Sequence, residues 1–162
     1  MIRLHTSICI EAPATAVWAR LAKLEEVALW AEPILKASCD GALSQGVGAE
    51  RTCVLQGNVT IQERWTEWDE GKSFTYEGVG IPMFKYAANH WTVRPQGAKT
   101  LVTSQAELRL RWGLLGRMLE PFVQFWLRRV APNTLAAFKY LVENGEPYPG
   151  RHTDLPRAAV AC

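Results

Sequence analysis

Residues 10–18 read Ile10-Glu11-Ala12-Pro13-Ala14-Thr15-Ala16-Val17-Trp18, and the periodicity of the sequence changes along this segment. Apolar and polar residues alternate before it, as in a strand, whereas Val17 and Leu21 are spaced as on one face of a helix. Pro13 suits the first turn of a helix, where its missing N–H would have no partner. The segment therefore predicts the end of a strand and a helix over residues 13–21.

Apart from one more short helical segment, the chain on either side of this helix has the pattern of β-strands as far as residue 111. A second short helical segment, residues 24–30, leads to Pro33, which should end it. Glycine- and proline-containing turns then separate runs of strand-like pattern. Together with the first run these predict seven strands, at residues 2–11, 34–40, 49–56, 59–69, 72–79, 84–94 and 100–111. Short turns between neighbours indicate an antiparallel meander.

The helical period returns after residue 112. An apolar stripe over residues 116–144 predicts one long helix. Pro121 is expected in its first turn, and Pro132 is expected to kink or split it, because an interior proline removes a hydrogen bond. The prediction is an α+β fold, in which a curved seven-stranded antiparallel sheet wraps around a long C-terminal helix. One domain is expected at residues 1–145, followed by an extended or disordered tail at 146–162.

Composition excludes several classes of protein. The 162 residues carry a net charge of +2, with 18 basic and 16 acidic residues spread along the chain, so we expect no nucleic-acid partner. No run approaches the ~20 apolar residues of a membrane-spanning helix, and the start lacks the pattern of a secretory signal. Stable membrane insertion is therefore not expected.

The spacing of the cysteines bears on the cellular location of the protein and on metal binding. The four cysteines, Cys9, Cys39, Cys53 and Cys162, lie far apart and lack ligand spacing. We interpret them as reduced thiols of a cytoplasmic protein. The chain also lacks a nucleophile elbow, a zinc-protease motif and a phosphate-binding loop, so no cofactor and no metal are predicted and catalytic residues stay unassigned.

Several motifs resemble the START-like superfamily, the SRPBCC-type proteins that include polyketide cyclases/dehydrases and lipid-transport proteins. These are Ile10-Glu11-Ala12-Pro13 with Val17, Trp18, Leu21 and Ala22, then Trp30, Pro33, the run Gly46-Val47-Gly48-Ala49-Glu50-Arg51, Glu63 and the terminal helix. The resemblance covers roughly residues 2–145. It implies a helix-grip fold with a deep pocket between the sheet and the C-terminal helix.

Strand parity predicts which side chains face that pocket, because alternate residues point to opposite sides of a sheet. Glu63 shares a face with apolar neighbours in its strand, and Arg51 does so in the preceding one. A three-residue hairpin loop at 56–58 places the two charges opposite each other, whereas a two-residue loop would not. We prefer the first register because unpaired buried charges are costly. The pair is either a polar anchor for a ligand or a structural salt bridge.

Further ligand-binding candidates follow from the same parity. Tyr76 could place its hydroxyl in the cavity. Asn89 and Trp91 share one face of their strand, and we favour that face as the inner one. Phe122 and Trp126 are four residues apart on the terminal helix, so both could face the sheet as aromatic walls, although such a stripe is more often plain core.

The predicted function is binding, as a carrier or sensor, of a hydrophobic small molecule of aromatic, polyketide-like or acyl-lipid type. The alternative is a cyclase or dehydratase in which Glu63 or His90 acts as the base and Tyr76 or Arg51 steadies an enolate. A third hypothesis is a protein-interaction module using the apolar loop at 112–116, which could also be a lid or a shallow membrane contact. The simplest expectation is that this loop folds back onto the helix. The sequence also leaves open whether the protein forms a homodimer.

Overall fold

One antiparallel sheet gives the protein its frame. The structure is a computed structural model and describes residues 1–155 and 161–162. Within these residues the strands are β1 (Ile2–Ile10), β2 (Ile34–Cys39), β3 (Glu50–Leu55), β4 (Val59–Asp69), β5 (Ser73–Val79), β6 (Phe84–Gln96) and β7 (Lys99–Leu110). Their order in the sheet is β1-β7-β6-β5-β4-β3-β2. The predicted seven-stranded antiparallel sheet is confirmed.

Helices cover one face of the sheet. Helix α1 (Ala14–Leu21) and a 3-10 helix (Leu24–Leu29) connect β1 to β2, and the long helix α2 (Gly113–Asn144) follows β7. The aromatic residue Trp30, just after the 3-10 helix, packs between Trp91 of β6 and Phe138 of α2, with ring centroids 5.6 Å and 5.1 Å away. The main core therefore lies between the sheet, the N-terminal helices and the C-terminal half of α2.

The hairpin between β3 and β4 has the predicted register. Leu55 pairs with Val59, so the loop contains three residues, and Arg51 lies directly opposite Glu63. The loop is compatible with this because Gly57 and Asn58 both adopt positive φ, at 82° and 60°, which glycine and asparagine tolerate well. The two charges predicted to pair are brought together.

Helix α2 differs from the prediction at Pro121 and is not split at Pro132. It begins at Gly113, so Pro121 lies in its interior rather than in the first turn, and the helix continues through Pro132 to Asn144 without being split. An interior proline lacks the N–H that would bond to the carbonyl four residues earlier, and its ring crowds that carbonyl. For Pro132 that carbonyl belongs to Arg128, which is exposed, so water can replace the lost donor.

The loop before α2 does not fold back onto the helix, contrary to the simplest expectation. Trp112 adopts a left-handed backbone with φ of 67°, and the chain turns sharply there. A Cβ at Gly116 would clash with the carbonyl oxygen of Arg111, so the turn requires glycine at this position. As a result Trp112 and Leu114 point outward, with 53% and 78% of their surface exposed.

A disulfide joins Cys9 of β1 to Cys162, with the two Cα atoms 5.2 Å apart. The prediction that all four cysteines are reduced is therefore wrong for this pair, while Cys39 and Cys53 are free thiols. The bond could not be inferred from spacing, because 153 residues separate its ends. The cytoplasmic location is inferred from four reduced cysteines, and the disulfide removes that argument. The location stays a prediction.

The tail packs against the domain over its described part. Tyr148 makes an edge-on contact with Tyr140 of α2, with ring centroids 5.1 Å apart, and Leu155 is buried in the main core. Residues 146–155 are thus held against the protein rather than extended away from it. The part of the predicted tail at 156–160 lies outside the described residues, and the division into domain and tail stays a prediction.

The disulfide predicts a measurable loss of stability when it is removed. Peptide mapping without reductant should recover the Cys9 peptide joined to the Cys162 peptide. Cys162→Ser should lower the free energy of unfolding in urea by about 2–4 kcal/mol, because the bond restricts the unfolded chain. Cys39→Ser, which removes a free thiol, is the control and should change little. Separate Cys9 and Cys162 peptides in the unreduced digest would contradict the prediction.

Candidate functional site

A cavity of about 240 Å³ lies between the sheet and the middle of α2. Strands β1, β6 and β7 supply one wall and the helix supplies the other. The lining residues are Leu4, Thr6, Asn89, Trp91, Ser104, Ala106, Leu108, Leu127, Val130, Ala131, Thr134 and Leu135. Most are aliphatic or small, a few are polar and none is charged. The cavity therefore suits an uncharged, largely apolar group.

A chain of hydrogen bonds fixes the polar part of the cavity wall. Ser104 Oγ donates to Asn89 Oδ1 over 2.9 Å, and Asn89 Nδ2 donates to the Tyr76 hydroxyl over 3.3 Å. Because the amide is held at both ends, its orientation is set by its neighbours. Tyr76 accepts in this chain, so its own hydroxyl hydrogen is left to donate elsewhere.

Two donors beside the cavity lack an acceptor. Among the described residues, Trp91 Nε1 is buried without a hydrogen-bond partner, and no acceptor takes the Tyr76 proton. The Trp91 N–H lies near the Tyr76 hydroxyl and acts to lower the pKa of Tyr76. No hydrogen bond joins the two groups. Buried donors normally find partners, so an oxygen atom of a bound molecule would satisfy a need that the protein leaves open.

The Tyr76 hydroxyl stays protonated in this environment. Burial, together with the nearby carboxylate of Glu63, raises the pKa of Tyr76 from 10.0 to about 12. A neutral phenol can donate a hydrogen bond but cannot act as a base at ordinary pH. Tyr76 is therefore suited to orienting a ligand oxygen.

Arg51 and Glu63 form a buried ion pair next to this group. Arg51 Nε donates to Glu63 Oε2 over 2.8 Å, and Nη2 donates to the same oxygen. Nη1 donates to the carbonyl oxygen of Leu24 over 2.6 Å, which ties the 3-10 helix to the sheet. Only 4% of the surface of Arg51 and 7% of that of Glu63 is exposed.

Aromatic rings and a thiol complete the surroundings of the pair. The Arg51 guanidinium lies 4.9 Å from the ring centre of Trp65 and 5.7 Å from that of Tyr76, both within the range of cation–π attraction. Burial alone would lower the pKa of Arg51, but the charge of Glu63 raises it. Burial raises the pKa of Cys53 to about 12, so this thiol remains protonated and donates weakly to Glu63 Oε2.

The ion pair does not line the cavity under α2. Arg51 and Glu63 border a separate recess of about 120 Å³ at β3 and β4. Their connection to the cavity runs through the ring of Tyr76, whose hydroxyl bonds to Asn89. The structure thus gives the pair a supporting position behind the cavity wall.

The remaining predicted residues divide between the two faces of their elements. Asn89 and Trp91 point inward and line the cavity, as favoured from parity. His90 points to the outer face, where its Nδ1 lies 2.8 Å from the Thr75 hydroxyl. The expectation that Phe122 and Trp126 face the sheet is wrong, because 74% and 60% of their surface is exposed. Their assignment as ligand-binding residues stays a prediction.

Sequence reasoning missed the helix residues that do line the cavity. Leu127, Ala131 and Thr134 lie on the inner face of α2, one position out of phase with Trp126. Ser104 was also missed, although it has the same parity as Ala106 and could have been found by the alternation rule. Among the described residues, no group of three or more His, Cys, Asp and Glu is placed to hold a metal ion.

Comparison with known proteins assigns the family. A family model described as "Polyketide cyclase / dehydrase and lipid transport" matches residues 1–143. The chain belongs to this family. A comparison with curated proteins finds no match. The predicted recognition of the START-like group is confirmed.

Solved structures share the fold at low sequence identity. The Zhui aromatase/cyclase from Streptomyces sp. R1128 is 17% identical with a TM-score of 0.73, over 88% of this chain and 93% of that one. A START superfamily protein from Mycobacterium smegmatis is 13% identical with a TM-score of 0.70, over 89% and 99% of the two chains. A protein from Thermobifida fusca is 22% identical with a TM-score of 0.67, over 93% and 100%. These similarities establish the fold and leave the ligand open.

Breaking the buried ion pair should be strongly destabilising. Arg51→Met or Glu63→Met should each lower the free energy of unfolding by about 3–5 kcal/mol, because each leaves a buried group without its partner. The double variant Arg51→Met/Glu63→Met should recover a large part of this loss. Urea denaturation of the four proteins forms a double-mutant cycle that measures the coupling.

The same two strands offer a matched control. Glu50 and Arg64 are also directly opposite each other and form an ion pair, but on the exposed face. Removing Arg64 should change stability by about 0–1 kcal/mol. Equal losses from the buried and exposed pairs would contradict the importance given to burial.

The raised pKa of Tyr76 predicts a loss of stability at high pH. The unfolded chain releases this proton near pH 10 and the folded protein only near pH 12. The stabilisation is therefore complete below pH 10 and is lost as the pH rises to 12. Urea denaturation across this range should show a smaller decline for Tyr76→Phe than for the unsubstituted protein. Identical declines would show that Tyr76 titrates normally in the fold.

Proposed function

We propose that the protein is a binding protein for a neutral, ring-containing or acyl molecule that carries a carbonyl or hydroxyl oxygen. The observation that carries the proposal is the uncharged cavity under α2, with the unpartnered N–H of Trp91 in its lining and the Tyr76 hydroxyl bonded to the lining residue Asn89. Family membership supports a role in binding hydrophobic small molecules. The aromatase/cyclase among the structural neighbours is consistent with an aromatic ligand.

The absence of charge from the cavity lining narrows the ligand class. A free fatty acid would bring a carboxylate into a wall formed by aliphatic, hydroxyl, amide and indole groups, and burying that charge without a cation is unfavourable. Arg51, the cation behind the cavity wall, is already engaged by Glu63 and the Leu24 carbonyl. A ketone, phenol, ester or alcohol fits the available donors better.

Binding is favoured over catalysis by the position of the acid–base candidates. Glu63 lies behind the wall and His90 lies on the outer face of the sheet, so neither group reaches the cavity. Tyr76 is protonated and suited to hydrogen bonding. A carrier or sensor needs only shape and an oxygen anchor, both of which this cavity offers. The proposal includes no nucleic-acid partner, in keeping with the low net charge of +2. It also keeps the predicted cytoplasmic location.

A pair of model ligands tests the oxygen anchor. Tetralone and tetralin have the same ring system and differ by one carbonyl oxygen. We expect tetralone to bind more tightly by about 2- to 10-fold in isothermal titration calorimetry, the range for one net hydrogen bond. Tyr76→Phe should reduce this preference while keeping the affinity for tetralin. The proposal would be contradicted if neither compound bound and native mass spectrometry of the purified protein showed no bound molecule.

A cavity-filling variant tests the place of binding. Ala131→Phe puts a ring into the cavity from the helix side and should abolish binding of both compounds. Ala98→Phe adds the same ring at an exposed turn and is the control. Binding that survives Ala131→Phe would place the ligand elsewhere. Thermal unfolding of each variant distinguishes loss of the site from loss of the fold.

A further inference from the structure

The N-terminal half of α2 presents an apolar face to solvent. Six large side chains form it, each exposed by 59–78% of its surface: Leu114, Leu115, Met118, Phe122, Phe125 and Trp126. Their spacing of three and four residues puts them on one side of the helix. The opposite side, through Val123 and Leu127, packs on the sheet. This part of α2 is therefore apolar on both sides, unlike an ordinary surface helix.

Positive charge surrounds the apolar face. Residues 109–131 contain five arginines and one glutamate, so this segment carries twice the net charge of the whole chain. The single acid, Glu120, is held by the N-terminal amino group at 2.6 Å. Arg129 lies within the face, with its guanidinium 4.4 Å from the ring centre of Phe125.

A basic groove adjoins the start of this face. It has a volume of about 740 Å³, and Lys85, Arg109, Arg111 and Arg117 are among its lining residues, together with Trp112 and Leu114 of the turn into α2. Glu120 also lines the groove, but its charge is paired by the N-terminal amino group of Met1. The four basic side chains therefore favour an anionic group such as a phosphate. The groove continues directly into the apolar face, because Leu114 belongs to both.

We propose that this surface docks the protein onto a membrane that contains anionic lipids. The six apolar side chains would enter the boundary between headgroups and acyl chains, and the basic groove would take a lipid phosphate. Trp112 and Trp126 stand near the two ends of the surface, and tryptophan favours this boundary. Within the described part of the chain, no helix is long and apolar enough to cross a membrane, so the contact is interfacial.

Charge argues against a second copy of the chain as the occupant. Two apolar faces brought together would also bring together two sets of arginines, with Glu120 of each copy already engaged. Like charges in such an interface are repulsive. An anionic lipid surface supplies the complementary charge and the apolar layer together. This inference does not depend on what binds in the cavity.

Flotation with lipid vesicles tests the proposal. The protein should float with vesicles of phosphatidylcholine mixed equally with phosphatidylglycerol, and bind them less as salt rises. It should not float with phosphatidylcholine alone. Phe122→Ser/Trp126→Ser should weaken binding at least about tenfold, as should Arg117→Glu/Arg128→Glu. No binding to the mixed vesicles, or equal binding by these variants, would overturn the proposal.

Matched controls separate this surface from a general effect of exposed residues. Leu35→Ser/Val47→Ser removes two equally exposed apolar side chains elsewhere, and Lys36→Glu/Arg94→Glu reverses two charges elsewhere. Both should bind like the unsubstituted protein. Two other results would also overturn the proposal. One is a dimer in light scattering that Phe122→Ser/Trp126→Ser dissociates without any vesicle binding. The other is binding to polyglutamate but not to vesicles, which would indicate an acidic protein partner.

Discussion

The packing of the C-terminal half of α2 into the concave face of the sheet is the contact on which the rest of the structure depends. Leu135, Phe138 and Leu141 are almost fully buried there, at a spacing that places them on one side of the helix. They seal the core and fix the direction of the whole helix. Further toward its N-terminus the same helix, which carries the small residue Ala131 on this side, passes over the small residue Ala106 of β7, and a gap remains. The cavity is thus a consequence of helix direction combined with small residues on facing elements.

The interior keeps its two kinds of polar chemistry apart. The ion pair of Arg51 and Glu63 satisfies itself between β3 and β4 and also holds the 3-10 helix through the Leu24 carbonyl. The neutral groups around Asn89 lie on the other side of the Tyr76 ring. Because of this separation, an apolar ligand need not approach a charge. The ion pair supports the cavity wall from behind. A buried pair has a high desolvation cost, and the aromatic rings around Arg51 offset part of it.

Much of the fold could be predicted from the sequence, because strand alternation and the change of period at Pro13 are strong local signals. The β3–β4 register followed from one physical argument, the need to pair two inward charges. The face of α2 could not be predicted in the same way. Phe122 and Val123 are adjacent and both apolar, so the pattern did not show which of two faces, about 100° apart, meets the sheet. The disulfide was equally hidden, because its partners meet only after the whole sheet has assembled.

The bond between Cys9 and Cys162 has a mechanical consequence. It ties the C-terminal residue to the edge strand, so nearly the entire chain lies inside one covalent loop. Force applied between the two ends would pass from the first nine residues straight across the sulfur atoms. Strands β2 to β7 and α2 lie inside the covalent loop, so that tension reaches them only through their contacts with β1. While the bond is intact, a pull on these two ends can extend only the segment before Cys9. That segment pairs with β7 and carries Leu4 and Thr6 of the cavity wall, so such a load would open the cavity at β1 first.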